Sequence, residues 1–230
     1  METENSIKYL VKIQSKKEYQ DNLVKYGNIH TNCAEYYSDL FIQNQMQGDN
    51  HECSLWISSG RINTLKPIFS TIIVYENDLL NKNGETFINV DLNVVRDFAE
   101  EFAYITIIDY EKFIERLTTF VEINQLGIIH RHISYCSNIS KKFFKDNIHN
   151  LEKFMFIKLK RYERQKEYRI VFEDYCKEEL KKIVLDGQIV NERQKILPND
   201  YYIGSLKGIA QPTGINLTNC SNNILVKVEI

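Results

Sequence analysis

The sequence predicts an α+β fold, a single domain over residues 1–230 in which a few helices pack on a mixed, mostly antiparallel sheet. Three observations lead there. Apolar, β-branched runs outnumber segments of helical period. The two kinds do not alternate in the regular order of a doubly wound sheet. Nine glycines and three prolines leave no flexible linker to divide the chain.

The elements follow in order. Residues 7–13 (IKYLVKI) are apolar and read as a first strand. Residues 15–26 place Tyr19, Leu23 and Tyr26 at helical spacing, and Gly27 is placed to end that helix. Residues 28–31 form a short extended piece and 34–42 a further helical turn or two. A polar stretch over 43–52 holds the turn signal Gly48-Asp49. Strands are predicted over 53–62 and 67–75, then a polar connection over 76–85 with a turn at Asn83-Gly84. Residues 94–102 have helical period, and 104–108 (YITII) read as a buried strand. Asp109 is a good N-cap for a helix over 110–123, where Phe113, Leu117 and Phe120 line one face. Gly127 opens a strand over 128–136; 137–150 are polar and irregular, and 151–159 mixed. Residues 167–172 (EYRIVF) are a further strand, and 183–190, 201–206 and 224–230 make the last third β-rich.

Composition narrows the function classes. Apolar residues make up 43% and charged residues 26%, ordinary for a globular chain able to bury its own core. A formal charge of −2 gives no global attraction to nucleic acid or an anionic membrane. The most basic stretch, Lys158, Lys160, Arg161, Arg164, Lys166 and Arg169, is broken by Glu163 and Glu167. Five cysteines stand far apart without a CxxC pair, which fits free thiols in a reducing compartment, and the polar start carries no secretory signal; a cytoplasmic location without membrane association is expected. Phosphate loops, dinucleotide loops, GxSxG, HExxH and EF-hand loops are absent from the sequence. His130 and His132 share a strand face but lack further ligands nearby, and Gly48-Asp49-Asn50-His51-Glu52 reads as a loop, so no metal is expected.

The most informative segment is Gln165-Lys166-Glu167-Tyr168-Arg169-Ile170-Val171-Phe172. Strand alternation puts Gln165, Glu167 and Arg169 on one face and Tyr168, Ile170 and Phe172 on the other. A carboxylate between an amide and a guanidinium, fixed to a buried strand, is a preorganised polar site. An ionised Glu167 could accept a hydrogen bond from a ribose hydroxyl or stabilise developing positive charge. The alternative is purely structural: Glu167 and Arg169 pair with their neighbours across the sheet.

Four stretches resemble the uncharacterised bacterial and phage proteins of the DUF2971 type. They are the run from Tyr26-Gly27 to Asn32, Gly48-Asp49-x-x-Glu52, Asp109-Tyr110-x-x-Phe113-Ile114-x-Arg116-Leu117, and Lys158-x-x-x-Tyr162-x-x-Gln165-x-Glu167-Tyr168-Arg169-Ile170. That resemblance implies a fold more than an activity. Gln165-x-Glu167 followed by Ile170-Val171-Phe172 also looks like the Gln-x-Glu strand entrance of ADP-ribosyltransferases. The likeness implies NAD as cofactor, Glu167 as the catalytic carboxylate at the nicotinamide ribose, and Gln165 positioning an acceptor. It also implies cofactor contacts from His30, with Arg169 and Tyr37 as further candidates. The Ser-Thr-Ser stretch of one branch has no counterpart, and Arg169 stands where those enzymes have an aliphatic residue.

Two readings of function follow from these residues, beside that of a structural or dimeric partner protein. One is an NAD-utilising ADP-ribosyltransferase-like toxin or phage-related effector, with Glu167 and His30 facing each other across a Tyr-lined pocket. The other is a non-catalytic module in phage–host conflict that binds nucleic acid or a protein through the basic run and exposed tyrosines. The partner is a nucleotide-type ligand or a macromolecular acceptor, and the sequence does not fix an oligomeric state.

Overall fold

The centre of the molecule is a six-stranded antiparallel sheet built around two strands that are buried on both faces. In the computed structural model, which describes residues 6–33, 54–57, 60–63, 66–137, 155–175, 177–185, 188–220 and 223–230, the first is β1 (Ile7–Gln14). Its alternation sends Tyr9, Val11 and Ile13 to one face and Leu10 and Lys12 to the other. On one side β1 pairs with β8 (Phe102–Asp109), with Leu10 opposite Ile108. On the other it pairs with β5 (Ile68–Tyr75), with Leu10 opposite Ile73. The second such strand, β12 (Glu167–Phe172), lies beside β5, with Glu167 opposite Ile72 and Arg169 opposite Ser70. The outer strands are β9 (Ile128–His132) next to β12 and β16 (Ala210–Asn216) next to β8.

Each face is covered differently. Helices α1 (Lys17–Tyr26) and α3 (Tyr110–Ile123) cover the first, burying Leu23, Phe113, Leu117 and Val121 against Leu10, Phe69, Ile108, Ile170 and Phe172. Asp109 caps α3 by accepting from the backbone N–H of Lys112 at 3.1 Å. At the other end of the chain's first helix, Gly27 closes α1 with φ +61°, and its N–H donates to the carbonyl of Asn22. The short pair β2 (Asn28–Thr31) and β15 (Asn199–Tyr202) flanks this layer. The second face carries Val11, Ile105 and Ile107 against Ile88, Val90, Val94, Val95 and Val226. Those covering residues come from a three-stranded sheet, β6 (Leu79–Lys82), β7 (Glu85–Val90) and β17 (Ile224–Lys227), and from the short helix α2 (Leu92–Arg96).

The α+β class and the antiparallel pairing agree with the sequence expectation, while several elements shift. The polar stretch 76–85 holds β6 and the start of β7, joined by Asn83 and Gly84 with φ of +53° and +79°. This is a two-residue hairpin whose strands are polar because their outer face is exposed. The helix expected over 94–102 is α2, capped earlier by Asp91, whose side chain accepts from Asn93 N–H at 2.8 Å. It stops short because Phe102 already belongs to the ladder of β8 with β16. The single strand expected over 128–136 is two: β9, and β10 (Ser134–Cys136), which pairs in parallel with β11 (Ile157–Leu159). The strand expected over 183–190 belongs to a longer hairpin, β13 (Lys177–Leu185) with β14 (Gln188–Leu197). Strand β16 escapes the sequence pattern because Pro212 and Gly214 interrupt it, and both are tolerated at a sheet edge. No helix among the described residues is long and apolar enough to cross a membrane.

Candidate functional site

Strand β12 brings Glu167 and Arg169 together, but inside the protein. Glu167 is 6% exposed and Arg169 fully buried. Three donors converge on the carboxylate. Ser70 Oγ and Arg169 Nε donate to Oε1 at 2.6 and 2.5 Å, and Lys158 Nζ lies 2.9 Å from Oε2. Arg169 spends Nη1 on the carbonyl of Met155 at 2.7 Å. Gln165 accepts from Lys158 at 3.2 Å, and its amide nitrogen donates to Asp97 at 3.4 Å. Burial alone would push the Glu167 carboxyl up. The Arg169 guanidinium, the Lys158 ammonium and the Ser70 hydrogen bond outweigh it and hold the group far below the usual carboxylate range.

This network is closed. It ties β12 to β5, to β11 and to the helical turn that follows β11, and it turns Glu167 toward these donors inside the protein. The expected basic surface is reduced accordingly, since Lys158 and Arg169 point inward and Arg164 and Lys166 pair with Asp97 and Asp78 at 3.0 Å each. Glu167 and Arg169 therefore share a face as the strand pattern expects, yet as an internal brace, whereas Gln165 lies in the helical turn before β12, set off by Lys166 with φ +42°, and joins them only through Lys158. His30 stands elsewhere, on β2 within the helix-covered layer, and the pocket it lines does not include Glu167. Tyr37 lies outside the described residues, as do the predicted helix at 34–42 and the Gly48–Glu52 loop.

A different concavity opens at the end of β1. A pocket of about 460 Å³ is lined by Lys12 and Gln14 from β1, Tyr19 and Asn22 from α1, Asn28 and His30 from β2, Phe69 from β5, and Asp200 and Tyr202 from β15. The size suits a small-molecule site. His30 Nδ1 sits 3.0 Å from Asp200 Oδ1, and the imidazole lies parallel to the Tyr19 ring at 6.2 Å between centroids. Tyr202, 58% exposed, adds a second aromatic wall.

Lys12 is the unusual member. Its ammonium donates to the carbonyl of Ser70 at 2.7 Å and rests over the Phe69 ring at 4.6 Å. Among the described residues no carboxylate lies within ion-pair distance of it. Burial pushes the ammonium down to about 8, and the charge of Glu167, beyond the sheet, restores only part of the loss. A half-buried cation without a carboxylate partner is costly, and an anion arriving in the pocket would relieve that cost.

The chain matches no protein-family model, no curated protein and no solved structure. Sequence reasoning reached His30 but missed Lys12, Tyr19, Asp200 and Tyr202. One signal was legible: Lys12 interrupts an apolar strand at an inward position, two residues after Leu10. The others come together only because β15 pairs with β2 across about 170 residues, with Asp200 opposite His30.

Proposed function

We propose that this chain binds a nucleotide-type ligand in the pocket around Lys12, and that Glu167 serves the fold rather than a reaction. The observation that carries the reading is the ammonium of Lys12, bonded to the Ser70 carbonyl and without a carboxylate partner among the described residues, on the wall of an aromatic- and amide-lined pocket. Protonated, Lys12 holds a phosphate by a charge-assisted hydrogen bond. Tyr19, His30 and Tyr202 offer faces for a base, and Gln14, Asn22 and Asn28 offer amides that match base edges in both donor and acceptor character.

NAD belongs to the same ligand class, so the NAD-consuming reading meets the binding reading at this pocket and parts from it at Glu167. Transferase chemistry through Glu167 would require the carboxylate to give up Ser70, Arg169 and Lys158 and to reach the other face of the sheet. The test is calorimetric titration with AMP, NAD and inorganic phosphate at pH 7, together with an assay of nicotinamide release. AMP and NAD are expected to bind wild type, and Lys12→Met is expected to bind roughly 10- to 100-fold more weakly, the equivalent of one charged hydrogen bond. No heat with either nucleotide, or equal affinity in Lys12→Met, would sink the proposal. Nicotinamide release by wild type that is lost in a folded Glu167→Gln would restore the transferase reading.

A further inference from the structure

We propose that Lys12 also captures carbonyl compounds: its ε-amine condenses with the aldehyde of a reducing sugar phosphate lodged in the pocket, forming an imine and releasing water. The inference rests on the same pocket as the nucleotide reading and asks more of it.

Three features carry it. The amine lies at the inner end of a pocket, partly screened from solvent by the Phe69 ring, with the Ser70 carbonyl as its hydrogen-bonded neighbour. Among the described residues no carboxylate lies within ion-pair distance of it, and burial, opposed only in part by the charge of Glu167, brings its titration down to about 8. Roughly a tenth of it is then the free amine at pH 7, on the order of a hundredfold more than for an exposed lysine. The third feature is a proton-transfer group on the same pocket wall, since Asp200 orients His30 through Nδ1 at 3.0 Å and leaves Nε2 for exchange.

The chemistry balances without a further reactant. The amine lone pair attacks the aldehyde carbon, and the carbonyl π pair moves onto oxygen. One proton passes from nitrogen to oxygen to give the carbinolamine. Protonation of its hydroxyl lets the C–O bond break, water leaves, the nitrogen lone pair forms C=N, and the resulting iminium returns its N–H proton to give the imine. His30, which lines the same pocket, serves as the relay for both protons. The two roles of Lys12 are the two protonation states of one group. The ammonium holds an anion and dominates below pH 8, while the amine captures an aldehyde and dominates above it.

The test is reductive trapping. The full chain is incubated with ribose 5-phosphate and cyanoborohydride between pH 6 and 9.5, and adducts are located by peptide mass mapping. Lys16 and Lys25, exposed on either side of the same helix, serve as internal controls. Lys12 is expected to label at least about tenfold faster than either control, with a rate that rises through a midpoint near 8. AMP should slow labelling at Lys12 alone, and His30→Gln should slow it at Lys12 without changing Lys16. Labelling of Lys12 no faster than Lys16 and Lys25 overturns the inference. AMP calorimetry on the same preparation separates the two claims. AMP binding without preferential labelling removes the imine and leaves the pocket reading; preferential labelling without AMP binding upholds the imine and removes the nucleotide.

Discussion

Glu167 and Lys12 show how one strand residue's chemistry depends on what faces it. Glu167 is buried yet ionised because two cations and a hydroxyl compensate it. Replacing it with Gln leaves Arg169 and Lys158 as buried charges without their counter-ion, and about 3–5 kcal/mol of stability should be lost in urea or thermal unfolding. Its folded-state pKa is depressed, so its contribution is complete above the unfolded value of about 4.5 and disappears progressively as pH falls below it. Lys12 has the opposite linkage. Between pH 8 and 10.5 the unfolded chain still holds a proton that the folded chain has released. Stability should therefore rise with pH through that window by way of Lys12, and the cost of burying its charge is fully present below it. Lys12→Met should flatten that rise and raise the melting temperature at pH 7 while weakening nucleotide binding, the exchange expected when a destabilising group is kept for function.

At the scale of elements, β12 explains why the Gln165–Arg169 pattern was legible as a site and was placed differently by the fold. Strand alternation correctly separates Glu167 and Arg169 from Tyr168, Ile170 and Phe172, but alternation does not say that both faces are covered. A strand paired on both sides and buried on both faces opens only with the whole molecule, so β12 amides should show the slowest hydrogen exchange, well behind those of β6 at its sheet edge. The α1 terminus was read correctly from Gly27, because a left-handed C-cap is a local requirement. The structure adds a second constraint there. A Cβ on Gly27 would lie 2.0 Å from the carbonyl oxygen of Gly204, so Gly27→Ala should cost more than the roughly 1 kcal/mol of left-handed strain, measurable as a lowered melting temperature. The hairpin of β6 and β7 was half legible: Asn83-Gly84 announced the turn, but polar strands with one solvated face lack the hydrophobic alternation that announces a strand.

At the scale of the whole molecule, one antiparallel sheet is sandwiched between two helices on one face and a small sheet with a short helix on the other. The pocket forms where the end of β1, the start of β5 and the β2–β15 pair leave the helix-covered layer unfilled. Ligand binding there links segments from both ends of the chain. A nucleotide at a hundred times its dissociation constant should therefore stabilise the folded state by about 2.7 kcal/mol, read as a higher melting temperature, and the same concentration should stabilise Lys12→Met by only about 0.4–1.4 kcal/mol.

The sequence by itself determined the α+β class, the strands around the apolar runs, the capped helices and the two-face alternation of the Glu167 strand. These follow from rules that act over a few residues: period, capping and turn conformation. Only the tertiary structure decided which polar residues share a space. Glu167 received Lys158 and Ser70 as partners because β12 docks on β5 and lies close to β11 and the helical turn after it, and those partners make the cluster a buried brace. Lys12 and His30 came to line one pocket because sheet pairing joins residues far apart in the chain, and the burial that sets their chemistry exists only once that pairing is complete.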